Sequence, residues 1–532
     1  MALLLREVVL DLDEDESSLP EKVAACLKVQ VENFENFVVV RRGIDARKKP
    51  RVKRVYTVSF SLPDEESVLA KNSGNPRLAV DRPPQLPPLK KISSGQEVLV
   101  VGMGPAGLFA ALRLACQGVG VTLLERGEPV EKRVSKVDRF WTDGSFDPRS
   151  NVQFGEGGAG TFSDGKLTTR VNSPWNRLVL ETLVACGAPG EILSEAKPHL
   201  GTDVLRRVLI NFRKMLQQNG VRIMFDACLS GLHVVKGSVV GGVINDSDEI
   251  AADAVVLAPG HSARDTYEML DRTGVRLEQK PFAVGYRVEH PAALINSIQY
   301  GMEHHPKLPT ADYALNCKDK ESGRGVYSFC MCPGGEVIAA PSEEGGMVVN
   351  GMSKSRRDND WSNSALVVTV GPDDFPGVDP LAGVRFQRQW EAKAFVAGGG
   401  DYHAPAQNLL AFLDRKGGGQ PVSTCRPGVR EADLAALLPP SIVDPLKRSL
   451  PVFDRKMKGF VSREAVLVGI ESRTSAPLRI VRNEQGESIS HPGLYPAGEG
   501  AGYAGGIMSA ALDGIRVAEQ LVEKFSCGVV SE

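Results

Sequence analysis

The sequence predicts an α/β fold with an inserted α+β cap and a small α+β amino-terminal appendage. Three observations carry this expectation. Residues 98–107, Val-Leu-Val-Val-Gly-Met-Gly-Pro-Ala-Gly, are an apolar run that turns into Gly102-x-Gly104-x-x-Gly107 and then into a helical stretch. Residues 82–91, Arg-Pro-Pro-Gln-Leu-Pro-Pro-Leu-Lys-Lys, form a stiff proline-rich connector ahead of that run. From about 281 to 460 the chain changes character, with many prolines, polar loops and short strands. At 532 residues it is too long for one core, and two or three domains are expected.

Residues 1–85 read as the appendage with its linker: strand Leu4–Leu10, helix Pro20–Val29, strand Phe37–Arg42 and strand Val55–Ser61. This strand-helix-strand-strand order suggests a ferredoxin-like arrangement that lacks one helix. Between Arg41 and Arg54, eight of 14 positions are basic. Such a run is either a solvated hairpin or a contact for an acidic partner, for nucleic acid or for the phosphates of a donor nucleotide. Nucleic acid is disfavoured, because no aromatic-interleaved motif accompanies the charge.

The glycine run is a phosphate cradle. Gly102 permits the tight turn, Gly104 lets the backbone approach a pyrophosphate, and Gly107 lets the helix pack closely on the strand, so that the helix amino-terminus faces the negative charge. Pro105 and Ala106 complete the turn. A second strand, Val121–Leu124, ends in Glu125, 18 residues after Gly107, where a dinucleotide fold places a carboxylate for the ribose hydroxyls. Helix 202–219, strand 221–225 and a hairpin of 229–235 with 239–244 through Lys236-Gly237 then lead to the buried run Ala254–Leu257, which stops at Gly260.

Near the carboxy-terminus, Gly498-Glu499-Gly500-Ala-Gly502-Tyr-Ala-Gly505-Gly506-Ile507 leads into a small-residue helix. A strand entering this acidic glycine turn resembles the carboxy-terminal flavin motif of the glutathione-reductase-like FAD superfamily. The resemblance implies FAD as cofactor and Glu499 as the residue that holds the ribityl chain. It extends to Leu124-Glu125-Arg126-Gly127, to Ala258-Pro259-Gly260-His261, and to the loop from Gly155 through Gly158, Gly160 and Asp164 to Lys166, with Arg133 as a candidate phosphate partner. From the basic amino-terminal module through Lys197–Asp203, Phe282–Pro291, Phe329–Gly335 and Asn350–Ser353, and so over nearly the whole chain, the sequence resembles the FAD-dependent dehydrogenases of bacteria and plastids. The implied architecture is a Rossmann-type FAD domain in two parts, 95–280 and 461–525, with a cap at 281–460.

Flavin performs the redox step in such proteins, so site residues are sought where loops fold over it. Cys330-Met331-Cys332 places two thiols at alternating positions of a strand, facing one cavity. They read as an electron-exchanging dithiol, as metal ligands, or as two small buried residues. Lys166 either supports the anionic reduced ring or is an exposed loop lysine. Arg287 and His290 are candidates for a substrate carboxylate or a proton, with ordinary strand-face residues equally open. Glu343-Glu344 and Asp373-Asp374 read as solvated. No metal centre is expected.

The implied activity is a two-electron dehydrogenase or reductase acting on a small organic substrate. No second glycine fingerprint follows the first, so NAD(P)H or a redox protein is expected to dock transiently. An RNA-modifying flavoprotein, a flavin monooxygenase and a redox sensor without turnover are the alternatives. A formal charge of −2 and short, interrupted apolar runs give no attraction to membranes, and nine scattered cysteines fit a reducing compartment, the cytoplasm or a plastid stroma.

Overall fold

A five-stranded parallel sheet, in the order Leu494–Pro496, Ala254–Leu257, Glu97–Val101, Gly120–Leu124 and Arg222–Met224, forms the centre of the nucleotide unit. The computed structural model describes residues 2–92 and 95–528. Val98–Val101 and Ala254–Leu257 are continuously apolar because helices cover both faces of a parallel sheet. Helices Pro105–Cys116 and Ile507–Gly528 pack together on one of those faces. The hairpin 229–235/238–244 closes where the sequence places it, with Lys236 and Gly237 both at positive φ (50° and 82°), the geometry of a tight two-residue turn.

The amino-terminal module is a four-stranded antiparallel sheet ordered Glu35–Asp45, Lys53–Ser61, Leu3–Asp11, Leu78–Val80. Helices Leu19–Leu27 and Glu65–Lys71 cross between its strands. The second helix and the last strand, seven and three residues long, supply what the sequence reading lacked. Both are too short to show a periodic pattern. Asp64 caps that helix by accepting from the Ser67 amide. The module docks on the rest of the chain: the Arg42 amide donates to Ser194 O (2.7 Å), Ala196 N donates to Arg42 O (2.8 Å), and Lys307 pairs with Asp15 at 2.7 Å.

The cap is built on a seven-stranded sheet ordered Asn316–Lys318, Gly325–Cys332, Trp361–Val370, Phe282–Pro291, Val466–Glu471, Ala404–Asn408, Val429–Glu431. Strand Val466–Glu471 lies beyond residue 460, where the sequence division starts the carboxy-terminal nucleotide part, yet it pairs with Phe282–Pro291 and Ala404–Asn408. Its apolar run suits either sheet, and the choice is made by long-range pairing. A buried ionic cluster ties helix Ala382–Ala397 to the nucleotide unit: Glu391 accepts from Arg264 at 2.7 Å and from Arg473 at 2.6 Å. Glu343 belongs to this cluster through Arg264 and Arg388, and Asp374 pairs with Arg324, so neither is simply solvated. Among the described residues no helix is long and apolar enough to cross a membrane.

Candidate functional site

One cavity of about 2820 Å³ runs from the glycine cradle to the cap and out beneath the amino-terminal module. Ordinary ligand pockets hold roughly 300–1,000 Å³. The volume therefore has room for a dinucleotide and a second molecule.

At the cradle end, a Cβ on Gly107 would fall 1.8 Å from the Gly102 carbonyl oxygen, so glycine is required there by close packing of helix on strand. Gly104 is different. A Cβ on Gly104, Gly260, Gly505 or Gly506 would meet nothing within 4 Å, and all four residues line the cavity. Bare backbone thus faces open volume from three separate segments, beside the amino-terminus of helix Pro105–Cys116. This is the surface a pyrophosphate and its flanking groups need, and FAD fits it.

Glu125 lies at the end of its strand and lines the cavity, with its carboxylate accepting from the amides of Met103 (3.0 Å), Gly127 (2.9 Å) and Gly155 (3.0 Å). Arg126 packs its guanidinium over the Phe154 ring at 4.4 Å and pairs with Asp265 at 3.0 Å, also on the cavity wall. Gly158 and Gly160 line the cavity on a loop that approaches Gly104 and Ile507 respectively. Glu499 accepts from the Gly506 amide at 3.2 Å, and burial pushes its carboxyl up to about 7. Pro105, Ala106, Gly498 and Ile507 share the same wall.

Arg133 does not line the cavity. It is fully buried, and its guanidinium donates to the carbonyls of Asn151, Val152, Gly155 and Glu156 and to the Thr161 hydroxyl. It is the internal tie of the glycine loop, and it shapes the cavity from behind.

At the cap end, Lys166 and the two cysteines come together, although not as regular strand alternation implies. Strand Gly325–Cys332 carries a bulge between Phe329 and Cys332, and Cys330 sits in the left-handed region at φ 45°. Cys330 consequently lines the cavity while Cys332 is buried behind it. Lys166 donates to the carbonyl of Met331 between them and pairs with Asp164 at 2.7 Å.

Arg287 completes the surround from inside. Its Nη2 donates to Cys330 O at 3.1 Å, its Nη1 lies 3.8 Å from Cys332 Sγ, and its Nε pairs with Glu471 at 2.8 Å. It is fully buried and so holds the bulge rather than a substrate, and His290 is likewise buried with Nε2 on the Phe460 carbonyl.

The electrostatics follow from these contacts. A hydrogen bond from Cys332 and the charges of Lys166 and Arg287 pull the Cys330 thiol below its ordinary value, against burial; the same hydrogen bond and burial push Cys332 up. Burial opposes the charge on Asp164, but Lys166 and Arg357 outweigh it and hold the carboxylate ionised. Among the described residues no group of three or more metal-ligating side chains comes together, so the cysteine pair has no third ligand. The sequence reading missed Arg357 on Asp164, Glu471 on Arg287, and Asn363, whose Oδ1 accepts from Arg287 Nη1 at 2.6 Å; only folding brings them to the site.

Comparison with known proteins accords with this geometry. Residues 96–283 match the model of pyridine nucleotide-disulphide oxidoreductases, residues 281–474 that of the FAD-dependent protein, C-terminal domain-like, and residues 4–61 a domain of unknown function. A Clostridium beijerinckii protein described as uncharacterized is 46% identical over 534 residues, covering 99% of each chain. A digeranylgeranylglycerophospholipid reductase of Haloferax volcanii is 25% identical over 254 residues, 46% of this chain and 53% of that one. A solved geranylgeranyl bacteriochlorophyll reductase-like protein of Thermoplasma acidophilum covers 81% of this chain and 80% of its own, at 14% identity and TM-score 0.36. With its two large units matching flavoprotein domain models and a full-length relative at 46% identity, this chain belongs to the FAD-dependent oxidoreductases, and FAD is its cofactor.

Proposed function

We propose that the chain moves two electrons between FAD and a small organic substrate held in the cap-side part of the cavity, as a dehydrogenase or reductase. The observation that carries this reading is the continuity of the cavity, which joins the glycine cradle to a wall of Tyr313, Leu315, Tyr327 and Phe329 with Lys166 and Cys330 between. When bound, FAD supplies the hydride chemistry. The chain's own residues do the rest. The apolar wall takes an apolar or planar part of the substrate, with Phe329 37% exposed on the cavity. Lys166 offers a fixed positive charge to a developing anion, and the Cys330 thiol offers or receives a proton at its sulfur.

Cys330, Cys332 and Lys166 are the residues proposed to act in catalysis. The electron donor or acceptor on the other side of the cycle is NAD(P)H or a redox protein that visits from outside, because the nucleotide unit carries a single glycine cradle. The test is an anaerobic absorbance titration of the purified holoprotein with NADPH, then NADH, then a reduced ferredoxin-type protein. Bleaching of the flavin band by one of these, followed by reoxidation on adding an organic acceptor, supports the reading. A flavin that only free dithionite reduces contradicts it.

A further inference from the structure

Cys330 and Cys332 differ from the chain's other cysteines in touching one another: the Cys332 thiol donates to the Cys330 carbonyl oxygen at 3.5 Å. In a straight strand, residues two apart have Cα atoms roughly 6.6 Å from each other, at the outer end of the roughly 4.4–6.8 Å range that a disulfide bridges. The bulge, with Cys330 at φ 45°, bends the chain between them out of that straight form. Strain of this kind, on the order of 1–3 kcal/mol, persists only where the surroundings impose it. Here they do so through Arg287 on the Cys330 carbonyl and Lys166 on the Met331 carbonyl.

The charged groups around the pair are arranged for thiol chemistry. Lys166 and Arg287 are the cations facing the sulfurs. Two of the nearby carboxylates are neutralised by partners, Glu471 by Arg287 and Asp164 by Lys166 and Arg357; the third, Glu499 of the flavin motif, interacts electrostatically with Cys330. The pair lies on a cap strand, outside the residues 96–283 that match the pyridine nucleotide-disulphide oxidoreductase model.

We propose that Cys330 and Cys332 form a reversible dithiol–disulfide couple that exchanges an electron pair with the bound FAD. The proposal rests on the FAD assignment and deepens the oxidoreductase reading. In the oxidising direction both S–H bonds break and one S–S bond forms. The two electrons and two protons released are taken up by oxidised FAD, which becomes the reduced flavin; in the other direction reduced FAD returns them and the bridge opens. Cys330, on the cavity wall, is the thiol a reactant meets, and Cys332 behind it closes the bridge. The low-lying thiol at Cys330 suits that order.

The test is an anaerobic dithionite titration of the air-oxidised holoprotein, with iodoacetamide labelling and peptide mass spectrometry before and after. The expected uptake is four electron equivalents per FAD, with the peptide that holds residues 330–332 unlabelled at the start and doubly labelled at the end. Cys330→Ser and Cys332→Ser each take up two equivalents, and Cys116→Ser, remote from the cavity, still takes up four. Two equivalents in the unsubstituted protein, with both cysteines labelled from the start, overturn the couple. That result combined with a flavin bleached by NADPH leaves the oxidoreductase reading standing. A flavin that neither the nicotinamides nor a reduced ferredoxin-type protein bleaches strikes the earlier reading and leaves the dithionite count to decide this one.

Discussion

Lys166, on the glycine loop of the nucleotide unit, donates its ammonium hydrogen to the carbonyl of Met331 on the cap strand. That one contact joins the two units of the fold at the point where the cavity turns from cradle to cap. It also fixes a positive charge beside both cysteines, which with Arg287 adds to the hydrogen bond from Cys332 in pulling the Cys330 thiol below its ordinary value.

Replacing Lys166 by Met removes that charge and leaves Arg287 alone beside the sulfurs. An opposite charge within reach shifts a group by roughly one to three units. The pH profile of Cys330 alkylation by iodoacetamide, read by peptide mass spectrometry, is expected to move upward by that amount in Lys166→Met. An unchanged profile shows that the hydrogen bond from Cys332 and the charge of Arg287 set the thiol without Lys166.

Gly104 and Gly107 separate binding from folding. A side chain on Gly104 enters open volume, so Gly104→Val is expected to fold with a stability change within about 0.5 kcal/mol and to purify without FAD. Gly107→Ala, whose Cβ meets the Gly102 carbonyl, is expected to lower the melting temperature itself. Flavin absorbance and thermal unfolding measured on both proteins distinguish the cases. Full yellow colour in Gly104→Val contradicts the placement of the pyrophosphate.

The contrast shows what the sequence could carry. Gly102, Gly104, Gly107 and the turn at Gly498–Gly506 are legible because a phosphate cradle is local: strand, turn and helix follow one another within about 30 residues. Cys330 and Cys332 are legible as a pair for the same reason. The bulge between them is not, since it answers to Arg287 and Lys166, residues 43 and 164 positions away from Cys330 in the chain. The fate of Arg133 depends on a loop 18 to 28 residues later wrapping back around it, and helix Glu65–Lys71 is too short to announce itself.

Arg133 is fully buried and satisfies four carbonyls and a hydroxyl, so Arg133→Leu leaves those acceptors without donors. Bonds to a charged group contribute roughly 1.5–3 kcal/mol each, and the expected loss is on the order of 3 kcal/mol or more. Calorimetry of the apoprotein is the measurement, because it reads the loop without the cofactor. A melting temperature unchanged in Arg133→Leu contradicts a structural role and returns the residue to the ligand.

Glu499 gives the apoprotein a pH signature. Its carboxyl, pushed up to about 7, keeps its proton in the folded chain where the unfolded chain, with an ordinary value of 4.5, has lost it. The folded state therefore binds more protons between those values, and this group's contribution to stability falls as pH rises through that window and is level above it. Glu499→Gln is expected to remove that part of the decline, so that the variant's advantage over the unsubstituted apoprotein grows from pH 5 to pH 8. Parallel pH–stability curves for the two proteins contradict the assignment.

The proposed redox couple requires that a single cavity set the Cys330 sulfur against the FAD held in the glycine cradle. The direct measurement is the visible absorbance of the holoprotein reduced by one electron pair, followed anaerobically as pH is raised. A thiolate lying against an oxidised flavin adds a broad band to the red of the flavin absorbance. The band is expected to rise with pH below the range of ordinary thiols, to vanish in Cys330→Ser and to persist in Cys116→Ser. Identical spectra for the unsubstituted protein and Cys330→Ser at every pH contradict the claim.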